Sequence, residues 1–582
     1  MKHQLQALLT SALDKITADL ELSLDDHPIH IEATRDKAHG DFATNMAMTL
    51  TKVARRNPRE LAQLIIDALP DNNLIEKTEI AGPGFINFHL KSDAWHSIIG
   101  EVLNAGNDFG LSKHGSGQTL QIEFVSANPT GPLHVGHGRG AAYGATLANL
   151  LTAVGYKVDS EYYVNDAGRQ MDILATSIYL RYLEACGETL IFPCNGYQGD
   201  YIHDIAASVR NENNDDLNIG AKKLFAQVPS DEPAGGDKEL HIDGLISNAK
   251  ILLGEDYFIF HQAGLDVILS DIREDLAEFG VEYQQWFSER SLVSSHAIDK
   301  AISRLTDAGH LYEKEGATWF KSSDFGDEKD RVVLRNNGAP TYFASDIAYH
   351  LEKYGRGYNK VINIWGADHH GYIARVKAAI QAMGEDPERL EILLVQFANL
   401  FRNGKKVSMS TRSGSFVTLR QLREEVGNDA ARFFYVMRRT EQHMDFDLDL
   451  AKSQSNENPV FYIQYAHARI YTVMNKLIEK GFSALNTSIN CSSLKEEHEI
   501  DLMIDLSRYS EALLNSALQR EPHQLVNYLK QLASDFHGYY NAHAFLVDDN
   551  ELRNARLTLI SAVAQVLKNG LKVLGVSAPE SM

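Results

Sequence analysis

Two histidines three residues apart, His134 and His137, lie in the run Ala127–His137 (ANPTGPLHVGH), between a hydrophobic strand-like stretch and a small-residue helix. Prolines 129 and 132 and glycines 131 and 136 hold this run as a rigid turn. The helix N-terminus behind it would offer free N–H groups and a positive dipole end to a phosphate. The spacing projects both imidazoles from one face of the first helical turn, where they can donate hydrogen bonds to a polyphosphate whose charge shifts during displacement at phosphorus. Gly136 leaves room for a flat base to approach the backbone. A bare HxGH string is equally consistent with a βα turn carrying two surface histidines.

A second chemical cluster is WGADHHG at Trp365–Gly371. Adjacent histidines beside an Asp suggest a metal site, but His369 and His370 should point to different sides, and no further ligand is suitably spaced nearby. No metal ligand set is expected.

The elements around these residues follow from periodicity. Leu120–Ala127 (LQIEFVSA) reads as a buried strand, Gly140–Val154 as a helix and Lys157–Val164 as the next strand. This βαβ order implies a parallel sheet with its ligand site at the carboxyl ends of the strands. Lys360–Gly371 resumes the parallel theme. Residues 1–105 read as a small α+β unit: a helix over the first 20 residues, a strand at Ile29–Ala33, an amphipathic stretch Asn45–Ala68 and a closing strand Gly84–Leu90. Ala105–Gly117 reads as a linker, and the polar, poorly periodic Glu188–Gly254 as an insertion with surface loops. From Asn458 onward nearly everything reads as amphipathic helix, hence a bundle.

At 582 residues the chain exceeds what one core supports, so about three or four domains are expected. Apolar residues at 44 % and charged residues at 23 % argue against long disordered segments. No apolar run approaches the roughly 20 residues that cross a bilayer, and the first residues form no signal peptide. Cys186, Cys194 and Cys491 make no CxxC pair and no even disulfide set, which fits a reducing cytoplasm. The formal charge of −22 opposes a nucleic-acid partner on average, but it constrains the mean surface rather than any one face.

Extended back to Glu123, the string EFVSANPTGPLHVGH resembles the HIGH signature of class I aminoacyl-tRNA synthetases, and in this longer form that of the arginyl-tRNA synthetases. Tyr162–Gln170 (YYVNDAGRQ), Tyr342–Asp346 (YFASD), Trp365–Gly371 and Tyr462–Arg469 (YIQYAHAR) resemble segments of that family in the same order. Gly40–Met48 (GDFATNMAM) resembles its extra N-terminal domain, so the resemblance covers essentially the whole chain.

The resemblance implies a multidomain α/β protein with a Rossmann-like parallel-sheet catalytic core, a small α+β N-terminal domain and an all-α C-terminal anticodon-binding bundle. The implied boundaries are 1–112 for the tRNA-contacting N-terminal domain, 113–395 for the catalytic domain with an insertion at about 180–330, 396–456 for a connecting segment, and 457–582 for the bundle. It further implies ATP-dependent formation of arginyl-adenylate and transfer to tRNA(Arg). L-arginine, ATP with Mg²⁺ and tRNA would be the substrates of a cytoplasmic monomer that has no tightly bound cofactor and activates arginine only with tRNA bound. His134 and His137 become the catalytic pair. Ala127, Asn128, Pro129, Thr130, Gly131, Pro132, Leu133, Val135 and Gly136 become the ATP-binding turn.

A planar guanidinium with five donors asks for carboxylates and an aromatic face. Glu123, Tyr342 and Asp346 match the family's side-chain pocket, and Ser126 and Asn128 match positions that hold the amino acid's amino and carboxyl groups. Tyr342 and Asp346 are neighbours if YFASDIAYHLEKY is helical, the competing reading being that Asp346 is a solvated surface acid. The second family signature, usually KMSKS, is altered. Gly404–Leu419 (GKKVSMSTRSGSFVTL) keeps Met409, Ser410 and Gly414 but has Ser408 and Thr411 where lysines usually stand. Lys405, Lys406 and Arg412 are the candidates to meet the pyrophosphate end of ATP; a basic loop contacting only tRNA is the alternative. In the bundle, Tyr462 and Tyr465 can stack bases and Arg469 can pair with phosphate, although a buried helix shows the same aromatic stripe and packing is favoured for most of them. Arg553 and Arg556 are expected to keep a positive face.

Two other readings compete. One is another transferase on the same nucleotide-binding fold, such as a cysteinyl-tRNA synthetase or a nucleotidyltransferase, which would bring zinc ligands or lack the anticodon bundle. The other is a catalytically silent RNA-binding relative, for which the altered second signature argues.

Overall fold

The structure is a computed structural model that describes residues 1–20, 28–34, 36–407, 417–482 and 491–582. At the N-terminus the helix Lys2–Leu20 packs on the helix Pro58–Ala68, which lies against an antiparallel sheet. Its strands are β1 (Glu32–Ala33), β2 (Phe42–Thr44), β3 (Ile75–Ala81) and β4 (Phe85–Leu90), in the order β1–β2–β4–β3. The stretch expected to be one amphipathic segment breaks at Asn57, whose side chain caps the helix that Pro58 opens. The strand β3 was not anticipated. It is an edge strand with no fully buried residue, so its sequence IEKTEIA shows no clean alternation.

The centre of the molecule is a five-stranded parallel sheet in the order β12–β11–β5–β6–β7. Its strands are β5 (Thr119–Glu123), β6 (Lys157–Val164), β7 (Gln285–Ser288), β11 (Lys360–Gly366) and β12 (Leu390–Val395). Between β7 and β11 an antiparallel three-stranded sheet, β8 (Leu311–Lys314), β9 (Ala317–Phe320) and β10 (Arg331–Leu334), precedes the helix Tyr342–Gly355. The chain grows from β5 towards β7 on one side and returns to β11 on the other. The topological switch, where open α/β sheets bind ligands, therefore falls between β5 and β11. The span about 180–330 expected as an insertion contains β7, a member of this central sheet.

The polar stretch Glu188–Gly254, read as an insertion with surface loops, is about half helix, so the loop part of that reading is corrected. Helices Asp200–Asn213 and Lys238–Leu253 pack on the helix Arg169–Ala185. They bury Ile202, Ile205, Ala206 and Val209, and Ile242 and Leu245, at helical spacing. The intervening PSDEPAGGDKE obscured this period.

After β12 come β13 (Ala398–Arg402), β14 (Lys405–Lys406) and β15 (Met444–Asp447), which form a small sheet. The chain ends in a bundle of four helices, Pro459–Glu479, Glu497–Leu518, Pro522–Ala542 and Asn550–Leu574. The last helix amends the expectation that nothing is long and apolar enough to cross a membrane, but 72 % of its apolar window is buried inside the bundle. Arg553 and Arg556 are buried on it and present no positive face. Arg556 pairs with Glu499 at 2.9 Å, and Arg553 donates to the Val547 carbonyl at 2.7 Å.

Candidate active site

The histidine turn follows β5 through two non-glycine residues in left-handed backbone, Val125 (φ +68°) and Ser126 (φ +44°). Such conformations cost about 1–3 kcal/mol each and persist only where surrounding contacts over-determine them. Here Ser126 Oγ donates to Glu123 Oε1 at 3.0 Å and accepts the Tyr163 amide at 3.1 Å, folding the turn back onto the strand it left. Further along, the Ala127 carbonyl accepts the Tyr162 hydroxyl at 2.9 Å and the Thr130 carbonyl accepts the Tyr201 hydroxyl at 2.6 Å. Ala127, Pro129, Leu133 and Val135 are buried, Thr130, Gly131, Pro132 and Gly136 are partly exposed, and Asn128 is exposed.

Tyr201 belongs to the helix that sequence patterning placed in surface loops, so this excursion of the chain buttresses the turn. Tyr201→Phe, which deletes the hydrogen bond and leaves the ring, is expected to loosen the turn by about 1 kcal/mol, lowering kcat/KM for ATP some fivefold and the melting temperature by no more than a few degrees. Steady-state kinetics at saturating arginine check this, and an unaltered ATP dependence contradicts it.

The histidines cap the helix Val135–Ala153 rather than standing beside it. His134 is the N-cap, and its Nδ1 accepts the Gly136 amide at 3.0 Å; the Nδ1 of His137 accepts the His134 amide at 3.3 Å. The rings stack with centroids 3.8 Å apart. With both Nδ1 atoms acting as acceptors, the proton of each neutral ring is assigned to Nε2. Burial, together with the neighbouring His134, pushes His137 down to about 3, and burial also lowers His134. At neutral pH the pair therefore presents uncharged Nε2–H donors.

Two expectations change. The helix N-terminus does not offer free amides, because the Val135 amide donates to the Val417 carbonyl (3.2 Å), that of Gly136 to His134, and that of His137 to the His134 carbonyl (2.9 Å). The space above Gly136 is taken by the cap itself, since a Cβ there would lie 2.8 Å from His134 Cε1. The turn is also anchored from below. The Leu419 amide donates to the Leu133 carbonyl at 2.9 Å, and Thr418 bridges His134. Of the second-signature candidates, Lys405 and Lys406 are exposed on β14, whereas Met409, Ser410 and Arg412 lie outside the described residues.

Next to this turn, at the carboxyl ends of β5, β6, β7 and β11, opens a cavity of about 440 Å³. Glu123, Ser126, Tyr342 and Asp346 all line it, together with Trp365 and His369 of the WGADHHG segment. Tyr342 and Asp346 stand one turn apart on the helix Tyr342–Gly355, capped by Thr341. Asp346 is no solvated surface acid: Tyr372 donates to it, and burial, reinforced by the charge of Glu123, raises it to about 6 against the pull of Tyr372 and Arg375. Glu123 is committed elsewhere. Burial pushes its carboxyl up, but the buried ammonium of Lys353 outweighs this and holds it below the usual range.

Sequence reasoning missed Glu289, which follows the carboxyl end of β7 and lines the same cavity. Burial and then the charge of Asp346 raise it to about 7. The amide of Asn165 satisfies its surroundings only with its nitrogen turned to Glu289 Oε2, at 2.6 Å. The signal for Glu289 was its place just after an apolar strand of the parallel sheet, and it was hidden because β7 had been assigned to the insertion. The cavity thus holds two weakly acidic carboxyls, an aromatic ring at its mouth and the serine of the turn. That arrangement suits a planar cation.

In the bundle, Tyr462, Tyr465 and Arg469 come together with residues of the helix Pro522–Ala542. Arg469 is held between the rings of Tyr465 (4.4 Å) and Tyr540 (4.6 Å) and lies 3.2 Å from His537 Nδ1.

Three family models match the chain: an arginyl tRNA synthetase N terminal domain over residues 3–90, a class I (R) tRNA synthetase catalytic domain over 99–189 and 255–453, and a DALR anticodon binding domain over 463–582. The chain is 59 % identical to an arginine–tRNA ligase of Thioalkalivibrio sulfidiphilus and 58 % identical to one of Hydrogenovibrio crunogenus, each match covering all of both chains. Its fold resembles that of the Thermus thermophilus arginyl-tRNA synthetase, with a TM-score of 0.73 at 23 % identity over the whole of both chains.

Proposed function

The chain belongs to the class I arginyl-tRNA synthetases, arginine–tRNA ligases that join arginine to tRNA at the expense of ATP, and on that premise we propose how its residues divide the work. Glu289 and Asp346 pair with the guanidinium while Tyr342 covers its face, and Ser126 and Asn128 hold the amino and carboxyl groups. Glu123 forms the floor. The carboxylate then lies beside the histidine turn, in line with the α-phosphorus of ATP, which enters as its Mg²⁺ complex. As pyrophosphate leaves, the Nε2–H groups of His134 and His137 donate to the phosphate oxygens whose charge is growing.

Little covalent chemistry is asked of the protein. Positioning the carboxylate for attack and supplying fixed donors in a water-poor turn lower the barrier. Lys405 and Lys406, with Met409, Ser410 and Arg412, serve the pyrophosphate end. The terminal ribose hydroxyl of tRNA next attacks the adenylate carbonyl and releases AMP. Tyr462, Tyr465 and Arg469 belong to the tRNA surface of residues 457–582, and residues 1–112 form a second tRNA-contacting part. The protein acts as a cytoplasmic monomer.

The observation that carries this reading is the pair of carboxyls that face one cavity, Glu289 just past β7 and Asp346 on the helix Tyr342–Gly355, each raised in pKa by burial first and then by a neighbouring carboxylate. The sign of the consequence is fixed. Each carboxyl has a folded-state pKa above its ordinary value, so the free protein gives up stability as pH rises through about 6 for Asp346 and about 7 for Glu289. Arginine, always cationic, offsets that loss by binding the ionised forms. Its KM is expected to rise by up to about tenfold per pH unit below neutrality, with the KM for ATP rising less. Arginylation kinetics with saturating tRNA between pH 6 and pH 8.5 test this; a pH-independent arginine KM refutes it.

A further inference from the structure

In the register of the central sheet, Glu123 of β5 stands opposite Glu161 of β6 on one side and Asn363 of β11 on the other. Directly paired residues of parallel strands face the same side of a sheet, so two glutamates and an asparagine form one buried row beneath the amino-acid cavity. Two carboxylates side by side in a dry layer repel unless cations meet them. The helix Tyr342–Gly355 supplies these cations, with Tyr349 and Lys353 one turn apart and Arg356 following at its C-cap.

Lys353 is completely buried; its Nζ pairs with Glu123 Oε2 and donates to Asn363 Oδ1 at 2.9 Å. From there two branches reach the cavity walls. Glu123 takes the Tyr349 hydroxyl at 3.1 Å and, through Oε1, the Ser126 hydroxyl that folds the strained turn. On the other side, Asn363 meets His350 Nε2 at 2.9 Å, and His350 Nδ1 lies 2.8 Å from the backbone carbonyl of Asp346, one turn back on the same helix. Arg356 plays the matching part for Glu161.

We propose that Lys353 is a positioning residue for arginine: by pairing with Glu123 it withdraws that carboxylate from the substrate and, through Glu123, fixes Ser126 relative to the helix that carries Asp346. The proposal rests on the assignment of the cavity to arginine. It makes guanidinium recognition the task of two carboxylates, Glu289 and Asp346, with the third neutralised from below.

The test is the arginine KM, measured in tRNA charging alongside the ATP KM and a melting curve, for Lys353→Met, Glu123→Gln, the two combined, and Glu289→Gln. Lys353→Met leaves a buried carboxylate without its partner and is expected to raise the arginine KM on the order of 100-fold, with the ATP KM changed far less. Adding Glu123→Gln removes the stranded charge and keeps a hydrogen-bonding group, so the double variant is expected to recover most of that rise. Glu123→Gln alone should raise the arginine KM less than Glu289→Gln does. A folded Lys353→Met variant with an unchanged arginine KM, or a double variant no better than the single one, overturns the proposal. Should Lys353→Met not fold, the double variant decides: an arginine KM as high as that of Glu289→Gln shows that Glu123 binds arginine itself, and a lower one supports the proposal. Failure of the underlying assignment looks different, because Glu289→Gln would then leave the arginine KM unchanged as well.

Discussion

His137→Asn is expected to lower kcat for arginylation by about 100- to 1000-fold, the usual cost of one preorganised transition-state donor, while His137→Gln should lose far less. The contrast follows from which nitrogen does what. An Asn amide sits where Nδ1 was, so it can preserve the cap on the His134 amide, but it reaches no further. A Gln amide extends to the place of Nε2 and restores a donor while weakening the cap. If the ring served mainly to cap the helix, the order would invert. Because His137 is held near 3 by burial and the neighbouring His134, it stays neutral throughout, and kcat should show no step between pH 6 and pH 8 from this residue. Single-turnover measurement of adenylate formation with bound tRNA separates this effect from product release.

The second large effect concerns the carboxyl pair. Glu289→Gln or Asp346→Asn alone is expected to raise the arginine KM by about 100-fold or more, since a desolvated charge pair that loses one partner costs some 2–5 kcal/mol. The two substitutions should not add, because the charge of Asp346 raises Glu289 in the free protein and both carboxyls face the same guanidinium. Unliganded stability at pH 8 should rise slightly in either variant, a raised carboxyl having been removed. Arginine titration followed by calorimetry, with thermal melting of the free proteins, reads both quantities. An additive double variant would argue that the two carboxyls act at separate places.

Much of this site was legible before any coordinates. The turn Ala127–His137 advertised itself through its prolines, glycines and histidines, and the apolar runs on either side marked it as a strand-to-helix junction. YFASDIAYHLEKY carried a helical period that set Tyr342 one turn from Asp346. What the pattern could not show was hydrogen-bond direction. The capping of the helix by its own histidines, and the use of its first amides by Val417 and His134, depend on three-dimensional closure between segments far apart in the chain.

Glu289 and Lys353 were missed for different reasons. Glu289 follows a four-residue strand that lay within the presumed insertion, so nothing marked it as the edge of the core sheet. Lys353 is a charged residue on a helix, which composition alone assigns to the surface; only strand register, with Glu161, Glu123 and Asn363 in one row, explains why a lysine is buried there. Arg553 and Arg556 show the same difficulty, because buried pairing and a positive face look alike in a sequence.

The central claim is that the cavity recognises a planar cation through two carboxylates. The most direct measurement compares arginine with citrulline, its uncharged near-isostere, in charging of tRNA by the purified protein with Mg²⁺-ATP. A site whose buried acids would be left unpaired by citrulline should give it a kcat/KM lower by at least about a thousandfold. Comparable charging of the two, or no charging with arginine, would contradict the account.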